Sequence, residues 1–243
     1  MSPLLEVLAL VPARGGSKSI PRKNVRRVNG KPLVAWSIEH GLASRRITRV
    51  VCTTDDDEIA EVARAHGAEV PFRRPAEISG DLSVDFEFHL HALEWLKEHE
   101  GYVPDLVVHL RPTHPIRKPE TLDRAIEALA GRPDADSLRA VRRAVFTPYK
   151  MWRVAAEGLL APLLSLEEIL EPYNMPRDIL PPVLQQDGYV DITRPRTVFE
   201  QRSTTGRRIL AFPVDEEPVI DIDYEADLAD AERRLGRSPG TPA

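Results

Sequence analysis

Short apolar runs recur along the chain, and each leads through a polar turn into a stretch with helical spacing. Val7 to Val11, Arg49 to Thr54, Asp105 to Leu110, Ser137 to Val141, Asp187 to Ile192 and Ile209 to Val214 read as buried strands. Between them, helices are predicted from Lys31, with Pro32 in the first turn, and over Glu58 to Ala63, which Gly67 ends. Others are predicted over Ser83 to His99, Pro119 to about Leu129, and Tyr224 to Leu235. The Ser83 helix is expected to bury Phe86, Leu90, Leu93 and Leu96 on one face. Ala68 to Phe72 is a short extended piece. Strand and helix in alternation imply right-handed βαβ units and a mainly parallel sheet, an α/β fold.

The rhythm breaks between about Ala144 and Gln186. This segment is rich in proline, and its Leu159, Leu160, Leu163, Leu164 and Leu166 are expected to form a compact apolar cluster. It is too long for an ordinary connection, and long insertions are usually functional. The chain therefore divides into an α/β domain (1–143 and 187–236), an insertion (144–186) and a tail (237–243).

Size and charge narrow the field. A chain of 243 residues suits one large α/β domain with a small subdomain. The net charge of −5 argues against a general nucleic-acid surface. The single cysteine, Cys52, excludes an intrachain disulfide and sits in an apolar strand as a small core residue. Leu4-Leu5-Glu6-Val7 is interrupted by an acid and lacks a basic flank, so no secretory leader is expected. No run has the ~18 apolar residues of a membrane span. The expectation is a cytoplasmic protein with no membrane or nucleic-acid partner.

Two stretches carry chemistry. The first is the loop after the first strand, Ala13 to Asn24. It holds Gly15 and Gly16 and the cations Arg14, Lys18, Arg22 and Lys23. Backbone donors and cations at a strand's carboxyl end suit a polyphosphate. The loop lacks both the P-loop and the G-x-G-x-x-G spacing. The second is Val219-Ile220-Asp221-Ile222-Asp223, read as a strand. Alternation puts Asp221 and Asp223 on one face, a hard oxygen pair suited to Mg²⁺. Capping of the next helix is the competing explanation for Asp223, and it leaves Asp221 unexplained. Acids at Asp55 to Asp57 read as helix capping. His89 and His91, two apart on a helix, do not form a metal pair.

Val11-Pro12-Ala13-Arg14-Gly15-Gly16-Ser17-Lys18 followed by Ile20-Pro21-Arg22-Lys23-Asn24 resembles the signature of the N-acylneuraminate cytidylyltransferases, with Ser19 where that family usually has glycine. Arg74-Pro75-Ala76-Glu77, the turn Pro112-Thr113-His114-Pro115-Ile116-Arg117 and the closing Ile220-Asp221-Ile222-Asp223 extend the resemblance over nearly the whole chain. It implies a Rossmann-like three-layer αβα sandwich of the nucleotide-diphospho-sugar transferase type, with a small dimerisation subdomain at 144–186. It implies a homodimer, Mg²⁺ on Asp221 and Asp223, and transfer of CMP from CTP to an acidic keto-sugar with release of pyrophosphate. Ala13, Arg14, Gly15, Ser17, Lys18, Lys23, Asn24 and Arg74 fall at nucleotide-binding positions. Arg14, Lys23 and Asp223 fall at catalytic ones. The acceptor falls against Arg111, Lys150, Arg177, Asp187 and Tyr189.

Two positions depart from that pattern. Arg111 stands where many members have glutamine, and Asp187 where they often have asparagine. Either the pair reads an anionic acceptor with a polar side chain, or the two residues bond to each other. His114 reads as a turn residue bonded to backbone. No side chain reads as a general base. Two other functions fit the residues: a nucleotidylyltransferase acting on a sugar 1-phosphate with another nucleotide, and a catalytically silent nucleotide-binding regulator.

Overall fold

Alternate side chains of β1 (Val7–Pro12) enter two different apolar clusters. Val7, Ala9 and Val11 join one, and Leu8 and Leu10 the other. Both faces of the strand are covered, so it reads as an unbroken apolar run. The computed structural model describes residues 5–218 and 220–236. Val219 and the predicted tail at 237–243 lie outside the described residues.

A small hairpin, β2 (Arg27–Val28) and β3 (Lys31–Pro32), leads into α1 (Leu33–Ala43). Then follow β4 (Arg49–Thr53), α2 (Asp57–Ala65), α3 (Asp85–Glu100), β5 (Leu106–His109), α4 (Pro119–Ala130) and β6 (Ser137–Arg143). The insertion carries a hairpin of β7 (Trp152–Val154) and β8 (Leu160–Pro162). The chain returns through β9 (Leu184–Thr193), α5 (Pro195–Gln201), β10 (Ile209–Pro213) and α6 (Glu225–Leu235).

The main sheet runs β10-β6-β9-β5-β1-β4. β1 pairs in parallel with β4 and β5, and β6 with β10; β9 is antiparallel to both β5 and β6. Helices α1, α2 and α4 cover one face through Ile38, Ile59 and Ile126, and α3 and α5 the other through Phe88, Leu96 and Val198. The expected αβα layering and mainly parallel sheet are therefore present. A third cluster joins Ile20 and Val28, on either side of the 3₁₀ turn after the basic loop, to Ile220, Ile222 and Leu228. It brings the two chemical stretches of the sequence together.

Several details differ from the sequence reading. Helix α3 starts at Asp85, not Ser83, because the Val84 N–H donates to Glu87 Oε2 at 2.9 Å and closes the first turn there. Its buried face is Phe88, Ala92, Leu93 and Leu96, with Phe86 and Leu90 half-buried. The seven-residue α5 had no clear periodic signal at that length. Residues 220–223 join no sheet, although Ile220 and Ile222 are buried and Asp221 and Asp223 exposed as alternation requires. The insertion's leucines form no compact cluster: Leu159, Leu160, Leu163 and Leu164 are exposed. Pairing of β6 with β9 also runs on to Arg143 with Leu184, so Leu184 to Gln186, inside the predicted insertion, belong to the main sheet.

Burial holds several histidines neutral. It lowers His40 to about 3 and His89 to about 4, and puts His109 well below its ordinary value. The unfolded chain takes up these protons as pH falls through about 6.5, whereas the folded chain does not. Stability is thus fully present above pH ~6.5 and declines below it, by about 1.4 kcal/mol per pH unit for each histidine kept neutral. Urea unfolding midpoints should drop between pH 7 and 5, and His40→Gln should flatten the decline. A midpoint constant over that range would contradict the assignment.

Candidate active site

The carboxyl ends of β1 and β5 open into a cavity of about 280 Å³. Arg14, Lys23, Asn24, Arg74 and Arg111 all line it. This is the crevice where open α/β sheets bind ligands.

The basic loop is built onto the sheet at both ends. Ala13 N–H donates to Thr53 O at 3.0 Å, and Asn24 Nδ2 donates to Arg14 O at 2.9 Å, tying the loop's end to its start. Gly15 N–H donates to Asp55 Oδ1 at 3.0 Å. A Cβ on Gly15 would lie 2.7 Å from Asp56 Oδ2, so the close approach requires glycine. Asp56 caps α2 by accepting from Ile59 N–H at 3.0 Å and also accepts from Arg22. The Arg22 guanidinium holds the Asp56 carboxyl well below its ordinary range. Arg22 adopts the left-handed conformation (φ 57°), a conformation a side chain disfavours, and it is held there by Asp56 and Glu58. Lys23 follows directly. Its Nζ donates to Ile222 O at 2.9 Å and lies 3.4 Å from Asp223 Oδ1. Ser17 is half-buried in the loop, and Lys18 is exposed and pairs with Asp81.

Arg74 is buried against the end of β4. Its backbone N–H donates to Thr54 O at 2.8 Å, its Nε to Thr53 Oγ1 at 3.1 Å and its Nη2 to Thr53 O, while the guanidinium lies 5.0 Å over the Phe88 ring.

The second stretch borders the same cavity. Ile222 N–H donates to Thr113 O at 2.9 Å, and Thr113 is a lining residue. Asp223 does not cap α6. Asp227 does so instead, accepting from the Asp223 and Tyr224 N–H groups at 2.9 and 2.7 Å. Both carboxylates are left facing Lys23 and Thr113. Loss of solvent raises the Asp221 pKa, Thr113 lowers it, and the Asp223 charge raises it further. Among the described residues, no group of three or more His, Cys, Asp or Glu side chains is arranged to hold a metal. Two nearby carboxylates beside a basic loop nevertheless fit Mg²⁺, an ion that keeps waters and is bound through one or two carboxylates plus phosphate oxygens.

The acceptor residues do not converge. Arg111 lines the cavity but its guanidinium is engaged: Nη2 donates to Asp85 Oδ2 at 2.7 Å and Nη1 to Asp191 Oδ2. Asp187 is buried, accepting from Arg142 Nε at 2.5 Å and from Tyr189 N–H at 2.8 Å. So the two do not pair with each other, and Asp187 is not presented to a ligand. Tyr189 is a core residue whose hydroxyl accepts from Lys118 N–H at 2.6 Å, a correction to its reading as an acceptor contact. Lys150 is exposed on the insertion, and Arg177 lines a separate cavity of about 310 Å³ with Arg143 and Thr147. His114 is not bonded to backbone through its ring. The ring packs on Gly188, with Nδ1 3.6 Å from Asp221 and Nε2 3.9 Å from Asp187. Arg117 holds this turn, donating to the Tyr189, Arg111 and His114 carbonyls; burial lowers it to about 9.

Sequence reasoning missed Asp81, Asp85 and His109, which also line the cavity. The signal was available for Asp81, in the polar loop after Arg74. Asp85 lay at an uncertain helix start, and His109 inside an apolar strand.

The Arg111 geometry gives a prediction. Arg111→Gln leaves Asp191, 3% exposed in its side chain, without its closest cation, although Arg139 stays 3.7 Å away. Removing one partner of a buried pair costs about 3–5 kcal/mol. Urea unfolding should show that loss. An unchanged midpoint with a raised acceptor KM would return Arg111 to the acceptor site.

Cations at strand ends around one crevice define an α/β protein with a basic ligand site. The sequence model of the cytidylyltransferase family matches residues 8–156, and the chain belongs to that family. It is 39% identical over 123 residues to the CMP-N,N'-diacetyllegionaminic acid synthase of Legionella pneumophila, covering 51% of this chain and 53% of that protein. It is 30% identical over 235 residues to the N-acylneuraminate cytidylyltransferase of Oncorhynchus mykiss, covering 95% of this chain and 50% of that one. The chain thus spans about half the length of these curated relatives. The fold matches CMP:2-keto-3-deoxy-manno-octonic acid synthetase complexed with CTP, with a TM-score of 0.68 at 16% identity over 95% of this chain and 98% of that one. No helix among the described residues is long and apolar enough to cross a membrane.

Proposed function

We propose that this protein is a nucleotidyltransferase that transfers CMP from CTP to the anomeric hydroxyl of a sialic-acid-like keto-sugar acid, releasing pyrophosphate. The observation that carries the reading is the meeting of Arg14, Lys23, Asn24 and Arg74 in one cavity, with Asp221 and Asp223 on its rim. Arg14, Lys18 and Lys23 hold the triphosphate and offset charge that develops as the α-phosphorus is attacked. Arg74, fixed to β4 and stacked on Phe88, holds the nucleoside end. The loop's anchoring through Asn24, Asp55 and Asp56 fixes these groups before the substrate arrives. Asp221 and Asp223 would hold Mg²⁺, which when bound offsets phosphate charge as a Lewis acid. A cytoplasmic location is proposed with this function, and Cys52, buried and free with its thiol pushed up to about 12 by burial, takes no part in the chemistry. Pyrophosphate release should be specific for CTP when four nucleotides are screened against acidic sugars and sugar phosphates. Release only with another nucleotide and a sugar 1-phosphate would select the other transferase; no release would select the silent regulator.

The proposed protein is a homodimer. Phe146, Val154, Leu159, Leu160 and Leu170 of the insertion are all more than 60% exposed, a concentration of apolar surface that marks an interaction site. A two-fold contact through this segment would cover it. Lys150 and Arg177 lie on the insertion and line no part of the nucleotide cavity, so an acceptor role for them requires the second copy. Light scattering at micromolar concentration should give a dimer mass, and Leu160→Glu should shift it toward monomer. A wild-type monomer would contradict the proposal.

A further inference from the structure

Two cations of the basic loop share one carboxylate. Arg14 Nη1 lies 2.9 Å from Asp81 Oδ1, and Lys18 Nζ pairs with Asp81 Oδ2. Arg14 and Asp81 both line the nucleotide cavity, so their pair reaches across it from the loop to the turn before α3. That turn is closed locally: Gly80 N–H donates to Ser83 Oγ at 3.0 Å, and Ser83 N–H donates to Gly80 O at 3.3 Å. No residue from Ser79 to Val84 is buried, and Leu82 at the tip is 95% exposed.

Position separates Asp81 from the other acids that hold the loop. Asp55 and Asp56 lie between β4 and α2, and Asp56 caps α2. Asp223 lies between the buried Ile222 and α6. Moving any of these disturbs packed structure. Moving Asp81 breaks two exposed ion pairs and no core contact. A carboxylate bridging two cations also takes the electrostatic place of a phosphate.

We infer that Asp81 is an internal competitor for the nucleotide's phosphates. The turn at 79–83 closes onto Arg14 and Lys18, and it swings away when phosphate oxygens take those two cations. The inference rests on the proposed reading of Arg14 and Lys18 as phosphate contacts. Its thermodynamic form is simple. Any ligand that needs both cations binds only the opened fraction, so its apparent Kd is raised by the reciprocal of that fraction. The factor belongs to the protein, and it is the same for CTP and for inorganic pyrophosphate. The same carboxylate re-pairs with Arg14 and Lys18 once product pyrophosphate has left, which disfavours its rebinding. Affinity for substrate is thereby exchanged for weaker retention of product at equilibrium.

Asp81→Asn keeps the shape of the side chain and removes the charge. Titration calorimetry of wild type and variant with inorganic pyrophosphate and, separately, with CTP tests the inference. At low salt, both ligands should bind the variant about three- to tenfold tighter, the range expected from losing exposed ion pairs, and by the same factor. Added salt should narrow the difference. Asp81→Ser should behave alike. Unchanged or weaker binding in the variants would overturn the inference while leaving CTP binding by the wild type, and so the proposed function, intact. Tighter pyrophosphate binding by the variants with no CTP binding to any form would keep the competitor and remove the proposed function. Failure of both ligands to bind any form would remove both.

Discussion

Lys23→Ala is expected to lose at least about a hundredfold in turnover while remaining folded. Removing one preorganised donor aimed at developing charge typically costs ~10²–10³ in rate. Lys23 meets the structural requirements for such a donor. It lines the cavity, its side chain is only 13% exposed, and its Nζ is fixed by Ile222 O and by Asp223. It is also a contact between the basic loop and the closing segment. The loop has other anchors in Asn24, Asp55, Asp56 and the apolar contacts of Ile20, so the fold does not depend on the lysine. The deciding comparison is kcat beside the thermal midpoint. A large loss of kcat with an unchanged midpoint supports the assignment. Near wild-type turnover would remove Lys23 from the chemistry, and a collapse of the midpoint would make it a structural tie.

Chelation should abolish turnover, Mg²⁺ should restore it, and Asp221→Asn should blunt that rescue more than Asp223→Asn. The structure sharpens the reason for the ranking. Asp223 sits 3.4 Å from Lys23 and has a cation to answer it in the apoprotein. Asp221 has no Lys or Arg within ion-pair distance among the described residues, and loss of solvent, with the neighbouring Asp223 charge, raises its pKa. A divalent ion relieves Asp221 most. The same difference should be visible without turnover: Mn²⁺ bound in the presence of CTP, counted by electron paramagnetic resonance, should weaken more in Asp221→Asn. Turnover that ignores chelator would end the metal proposal.

Much of this was legible in the sequence, for physical reasons. β1, β4 and β5 are apolar on both faces because helices cover both sides of the sheet, and continuous apolar runs are easily read. The cavity's basic loop was visible because backbone-linked cations lie close together in sequence. Asp221 and Asp223 were legible as a same-face pair even though their segment pairs with no strand. Burial of Ile220 and Ile222 against α6 imposes the same alternation that a sheet would. What sequence reasoning misplaced was the partner of each charge. Arg111 and Asp187 looked like candidates for each other, yet Arg111 found Asp85 and Asp191, and Asp187 found Arg142. Those choices are set by the position of β9 between β5 and β6, a long-range pairing that local pattern does not encode. Tyr189 was misread for the same reason: its alternation in β9 turns it into the core, toward Lys118.

The central claim is that this cavity joins CTP to a keto-sugar acid. Phosphorus-31 magnetic resonance of the purified protein with CTP, Mg²⁺ and a panel of nine-carbon keto-sugar acids tests it most directly. The account predicts that the three CTP resonances decay together, replaced by pyrophosphate and one new phosphodiester signal, only when an acceptor with a free anomeric hydroxyl is present. CTP left intact with every keto-sugar acid, together with a new diphosphate signal from a sugar 1-phosphate and another nucleotide, would contradict it.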